Sequence, residues 1–134
     1  MNTVFAVLLT AVSLAGVSFR LADETPLQKS ITRGKSVYVT HCQLCHGHQG
    51  EGIEGIYPPV AKADYLKDWK KSIQSIIQGQ KGPVKINGKD YNSEMENFGT
   101  LSDQEVADVM NFMYNNWGNK GKYITPEEVK SLRK

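Results

Sequence analysis

The stretch His41-Cys42-Gln43-Leu44-Cys45-His46 decides how the rest of the chain is read. It contains C-x-x-C-H, the spacing that attaches a c-type haem. On a helical turn residues i and i+3 share a face, so Cys42 and Cys45 can form thioethers to two vinyl groups along one porphyrin edge. His46 follows directly and can turn its imidazole beneath the ring to bind iron axially. Three other readings compete. A thioredoxin-like C-x-x-C needs a preceding strand and a βαβ setting, whereas these flanks look helical and loop-like. A zinc site needs two further ligands, and the other histidines, His41 and His48, lie too near in sequence to close a tetrahedron easily. Inert thiols in a chance match are the third.

Composition narrows the field. The chain has 134 residues, with sixteen Lys and Arg against fourteen Asp and Glu and two cysteines. That is room for one domain. Near-neutral charge gives no global case for binding nucleic acid or an anionic membrane. Two cysteines this close together do not make a disulfide scaffold.

Val4 to Phe19 is an uncharged apolar run of sixteen residues. It fits the core of a secretion signal and falls short of the roughly 18–20 residues of a spanning helix. Ser13/Ala15 and Gly16/Ser18 offer small-residue pairs for cleavage. The expectation is an export segment over residues 1–22 and one domain over 23–134, placing the protein in the periplasm or otherwise outside the cytoplasm. An uncleaved anchor, the chain's one route to a membrane, and a buried N-terminal helix are the competing readings.

Hydrophobic spacing predicts three main helices. Ser30 can cap one from Ile31 to about Cys45, and a second fits Asp64 to Gln78 with Leu66, Trp69, Ile73, Ile76 and Ile77 on one stripe. The third follows the capping box Ser102-Asp103-Gln104-Glu105, with Val106, Val109, Met110, Met113, Tyr114 and Trp117 on one face. Gly47 to Pro59 reads as loop, and Asn87-Gly88 as a small type I′ hairpin. Thr125-Pro126-Glu127-Glu128 caps a last short helix. The fold class is all-α, with long loops and few large side chains to fill the middle. A bound cofactor would fill it.

At this point the chain resembles the small monohaem class I c-type cytochromes, over roughly Thr32 to Trp117. The residues that carry the resemblance are Gly34-Lys35-Ser36-Val37-Tyr38 before the haem motif and Gly47, Gly50 and Gly52 after it. Tyr57-Pro58-Pro59-Val60, Gly82-Pro83, Asn87-Gly88-Lys89 and Tyr91-Asn92 continue it, followed by Met95 and Phe98-Gly99-Thr100-Leu101-Ser102-Asp103. The match is closest to cytochrome domains that accompany copper nitrite reductases, haem–copper oxidases and periplasmic dehydrogenases. The resemblance implies three helices and long loops wrapped around one covalent haem c.

The candidate sixth ligands are His41, His48, Met95, Met110 and Met113. His41 shares a helix with His46, and His48 is two residues beyond it, so neither reaches the opposite haem face. Met110 and Met113 fall on an apolar helical stripe, where methionine usually fills core. Met95 belongs to no apolar period and lies in a polar loop, at the position where the family pattern has its ligand methionine. Glu96 stands where the family commonly has proline, which sets a carboxylate near the haem edge. The resemblance also makes the Pro58 carbonyl the acceptor for the His46 Nδ1–H, against the alternative of a plain turn, and places Gly34 where the first and last helices cross, with Tyr38, Tyr114 or Trp117 alongside. Tyr91, Asn92 and Trp69 are candidates for lining the haem, or else ordinary core and surface residues.

Histidine and methionine together saturate the iron, which favours outer-sphere electron transfer over oxygen or peroxide chemistry. The expected function is a one-electron shuttle, or the haem subunit of a respiratory or dehydrogenase/reductase chain, with other redox proteins as partners and no catalytic residues of its own. Lys62, Lys67, Lys70, Lys71, Lys81, Lys85 and Lys89 form either a docking face for an acidic partner or a solvated surface. The alternatives are a haem enzyme or gas-binding protein with an open sixth position, and a non-haem thiol redox domain.

Overall fold

The computed structural model describes residues 23–133, so the expected export segment over residues 1–22 lies outside the described residues. Five helices and one hairpin follow in the order α1 (Pro26–His41), α2 (Gln43–His46), α3 (Trp69–Gln78), β1 (Val84–Ile86), β2 (Lys89–Tyr91), α4 (Asp103–Tyr114) and α5 (Pro126–Leu132), with a 3₁₀ turn at Asp64–Lys67 before α3. The all-α expectation holds. Among the described residues no helix is long and apolar enough to cross a membrane.

Helix α1 starts earlier than its apolar spacing suggests. Thr25 caps it, and Gln28 returns a bond to the Thr25 backbone, a capping box with Pro26 at the first helical position. Ser30, expected as the cap, is instead buried inside the helix. The expected single helix also breaks at Cys42, whose φ of −115° separates α1 from the one-turn α2 that carries Cys45 and His46. The second expected helix is split in the same way. Asp68 accepts from the Lys71 N–H and caps α3, leaving Asp64–Lys67 as a separate 3₁₀ turn. The hairpin forms as expected: Asn87 and Gly88 both have positive φ, at 50° and 78°, as a type I′ turn demands.

Helix α4 is the centre of the molecule. Every residue from Val106 to Tyr114 is buried, so the helix is covered on all sides rather than along one stripe. It crosses α1 at Gly34, where an added Cβ would stand 1.9 Å from the Asp108 carbonyl oxygen and 2.9 Å from the Phe112 Cβ. Only the absence of a side chain lets the two backbones meet. Tyr38 then packs against Phe112 and Trp117, with ring centroids 5.4 and 5.0 Å away. Tyr114 lies elsewhere, its hydroxyl donating to the Leu66 carbonyl at 2.5 Å.

Three polar side chains, Ser30, Asp108 and Asn111, meet inside this core. The Asp108 carboxylate accepts from Ser30 Oγ at 2.6 Å, from Gln104 Nε2 at 2.8 Å and from Arg33 Nε and Nη2 at 2.6 and 2.8 Å. A buried carboxylate is tolerable only with such a full set of donors. The bond to Asp108 chiefly raises the Arg33 guanidinium above its ordinary value. Asn111 donates to Ser30 Oγ and to the Ile124 carbonyl, and accepts from the Ile124 N–H, docking the C-terminal segment against α4.

Candidate cofactor site

A cavity of about 460 Å³ opens between α1, α2, α3, the hairpin and the segment before α4. It falls in the range of about 300–1,000 Å³ usual for ligand and cofactor sites. Cys42, Cys45, His46, Pro58 and Met95 all lie on its wall, so the tertiary structure gathers every expected site residue into one place.

The α1–α2 break explains how the motif faces the cavity. The Cys45 and His46 N–H groups both return to the Cys42 carbonyl, at 3.2 and 3.0 Å, and wind the motif into a single turn. Cys42 and Cys45 form no disulfide. Burial pushes the Cys42 thiol up to about 12, with a smaller contribution from Cys45. His46 Nδ1 lies 2.8 Å from the Pro58 carbonyl oxygen. A carbonyl can only accept, so Nδ1 carries the proton and Nε2 keeps its lone pair. Burial lowers the His46 pKa from its ordinary value, and the Pro58 bond opposes this in part.

The loop after the motif is built to deliver that carbonyl. Gly52 has φ of 65°, and a Cβ there would lie 2.4 Å from the Tyr57 carbonyl oxygen and 2.6 Å from the Pro58 carbonyl carbon. Its N–H donates to the His46 carbonyl at 2.7 Å, pinning the loop against α2. The loop can fold this tightly only on glycine.

Met95 reaches the cavity from the other end of the sequence. Its N–H and carbonyl pair with Gln80 at 2.9 and 3.0 Å, and Phe98 N–H donates to the Ile76 carbonyl at 2.8 Å. Gly79 makes room, since a Cβ there would stand 2.6 Å from the Met95 carbonyl oxygen. The competing ligands separate. Met110 is fully buried away from the cavity, whereas Met113 also lines it. His41 lies on the rim, edge-on to Phe98 at 5.8 Å, and His48 is exposed and off the wall.

Of the two roles left open for Tyr91, Asn92 and Trp69, the structure selects the ordinary core and surface one. Tyr91, Asn92 and Trp69 do not line the cavity, whereas Tyr65, Ser72 and Ser75 do. Tyr65 and Ser75 are joined hydroxyl to hydroxyl at 2.8 Å. The 3₁₀ turn breaks the helical register that would have brought them to notice. Glu96 does reach the wall, as expected from its place after Met95. None of the seven singled-out lysines lines the cavity. Lys81, Lys85 and Lys89 pair with Glu94, Asp90 and Glu54. The cavity mouth instead carries Leu44, 92 % exposed, within a run from Ser36 to Gly50 that has no Asp, Glu, Lys or Arg.

A thioredoxin-like arrangement does not fit, because among the described residues the only strands, β1 and β2, come after the motif. No group of residues suited to holding a metal ion by itself occurs among the described residues. A helical chain that turns two thiols and a tautomer-fixed imidazole into one cavity defines a haem protein of the c type. The cytochrome c family profile matches residues 31–117, and the chain belongs to that family. The family consists of haem-bearing electron carriers, so the chain is a carrier rather than an enzyme.

The chain is similar to several individual cytochromes. The chain is 37 % identical over 110 residues to cytochrome c-552 of Thermus thermophilus, spanning 75 % of this chain and 83 % of that protein. It is 36 % identical over 106 residues to the gluconate 2-dehydrogenase cytochrome c subunit of Pantoea cypripedii, spanning 75 % of this chain and 24 % of that subunit. With the cytochrome c subunit of a quinone alcohol dehydrogenase from Gluconobacter oxydans it shares 31 % identity over 103 residues, 75 % of this chain and 22 % of the subunit.

Proposed function

We propose that the protein is an exported one-electron shuttle with a single haem c, tied through Cys42 and Cys45 and ligated by His46 and Met95. When bound, a haem ligated on both faces supplies an iron that cycles between Fe(III) and Fe(II) with no open position for a substrate. The observation that carries the reading is the shared cavity. Residues distant in sequence, Cys42, Cys45 and His46 on one side and Met95 on the other, line the same space.

The chain's own residues divide the work. The Pro58 carbonyl holds the His46 Nδ1 proton, which fixes the tautomer and raises the basicity of Nε2. The Gln80 pairing holds the Met95 backbone at the wall. Leu44, exposed on a motif edge that carries no Asp, Glu, Lys or Arg from Ser36 to Gly50, favours electron exit there. Residues 1–22 serve as the export signal or anchor and 23–134 as the cytochrome domain. The partners are other redox proteins of a respiratory or dehydrogenase/reductase chain, a reading supported by the relatives that are dehydrogenase subunits.

The test is the weak near-infrared methionine–iron band of the ferric protein. Met95→Ala abolishes it, while Met110→Ala and Met113→Ala retain it. Loss of the band in Met113→Ala with retention in Met95→Ala would overturn the ligand assignment. Haem that stays with the Cys42→Ala/Cys45→Ala double variant on a denaturing gel would overturn the covalent attachment.

A further inference from the structure

We propose that Arg133 is a positioning residue for the methionine ligand, its guanidinium on the end of α5 holding closed the segment that presents Met95. The inference rests on the reading of Met95 as sixth ligand.

The segment from Met95 to Leu101 joins the cavity wall to the Ser102 cap of α4, and hydrogen bonds tie it to other elements at three points. The first two, described above, are the Gln80 pairing of Met95 and the Phe98–Ile76 bond, and both lie at its beginning and middle. The third is Arg133 alone. Its Nη1 donates to the Gly99 carbonyl at 2.9 Å, its Nη2 to the Leu101 carbonyl, and its Nε to Asp103 Oδ1 at 2.5 Å. Among the described residues neither carbonyl accepts any other hydrogen bond. The Arg133 side chain is 26 % exposed, so these charge-assisted bonds are largely shielded from water.

One planar fork thus bridges Gly99, Leu101 and the first residue of α4. A lysine can reproduce the charge beside Asp103 but not the three-way geometry. Arg133 also lies past residue 117, where the family match ends. The hold on the ligand segment is therefore supplied by a part of the chain that the family pattern does not describe.

The C-terminal segment does not depend on Arg133 to dock. Asn111 binds both the N–H and the carbonyl of Ile124, Val129 is fully buried, and Thr125 caps α5. Removing the guanidinium therefore leaves α5 in place and strips the partners from two carbonyls of the ligand segment. That segment then opens more often. A small ligand that competes with the methionine binds only the open form, so its apparent affinity rises with the open fraction.

The experiment titrates the haem-loaded ferric protein with imidazole, following loss of the near-infrared methionine–iron band, with urea midpoints measured in parallel. Arg133→Ala binds imidazole at least about tenfold more tightly than the unaltered protein, the factor for one lost charge-assisted bond. Arg133→Lys falls between the two. Equal imidazole affinity in Arg133→Ala and the unaltered protein overturns the proposal, including when the urea midpoint falls, since that pattern marks a merely structural role. Absence of the band in the unaltered protein refutes the Met95 assignment itself, and the proposal with it.

Discussion

Gly34→Ala is the substitution for which the geometry sets the largest cost. Alanine at this site would put its Cβ 1.9 Å from the Asp108 carbonyl oxygen and 2.4 Å from its carbon. These are backbone atoms of a buried helix, so no rotamer change relieves the clash. Restoring the 3.4 Å at which such contacts become ordinary requires α1 and α4 to part by about 1.5 Å here. The nearby bonds from Ser30 and Arg33 to Asp108, at 2.6 Å each, span the same two helices and are stretched by the move. Alanine gains about 1 kcal/mol in helix propensity. Against this stand about 1–3 kcal/mol for overpacking and about 1.5–3 kcal/mol for weakening a hydrogen bond to a charged group. The net loss is about 2–5 kcal/mol, a large share of the roughly 5–15 kcal/mol by which domains are stable. Urea unfolding followed by far-ultraviolet circular dichroism measures it, with Lys35→Ala, exposed on the same helix, as the reference. If Gly34→Ala unfolds within about 0.5 kcal/mol of that reference, the close crossing is not a rigid feature of the fold.

Two further outcomes follow from charge. Bonds from the Ser102 backbone and hydroxyl hold Glu105 below its ordinary pKa of 4.5, so its stabilising contribution is present above that value and is lost as pH falls through the lower, folded-state value. Glu105→Gln keeps the cap but does not titrate. The acid-side loss of urea stability is therefore shallower in the variant, and equal slopes would refute the role of the carboxylate. Electron exchange with a redox partner depends weakly on ionic strength, because the motif edge from Ser36 to Gly50 carries no Asp, Glu, Lys or Arg and Lys81, Lys85 and Lys89 are already paired. Stopped-flow rates that drop steeply with added salt would restore a lysine docking face.

Short-range features were legible in the sequence because each is decided by neighbouring residues. The Ser102–Glu105 capping box, the Asn87-Gly88 turn and the C-x-x-C-H turn depend on spacings of at most a few residues, and all three form as read. The misread boundaries have partly local causes. Ser30 resembles a cap, but Thr25 with Gln28 makes the stronger one, and Ser30 is drawn into the core by Asp108 and Asn111. The second helix divides because the Asp68 side chain binds the Lys71 N–H and begins a new helix there.

By itself the amino-acid sequence determined the all-α class and the two thiols and histidine that face one way, since thioether spacing and helical turn share the same period of three to four residues. It also singled out Met95 as the expected sixth ligand, by the absence of any packing reason for a methionine there together with the family pattern. Only the tertiary structure decided that Met113 shares the cavity wall with Met95, that Tyr65 and Ser75 line it while Tyr91 and Trp69 do not, and that Arg133 grips Gly99 and Leu101. Such pairings join residues far apart along the chain. They depend on how the helices cross, and that crossing is set by one glycine whose missing side chain lets α1 and α4 touch.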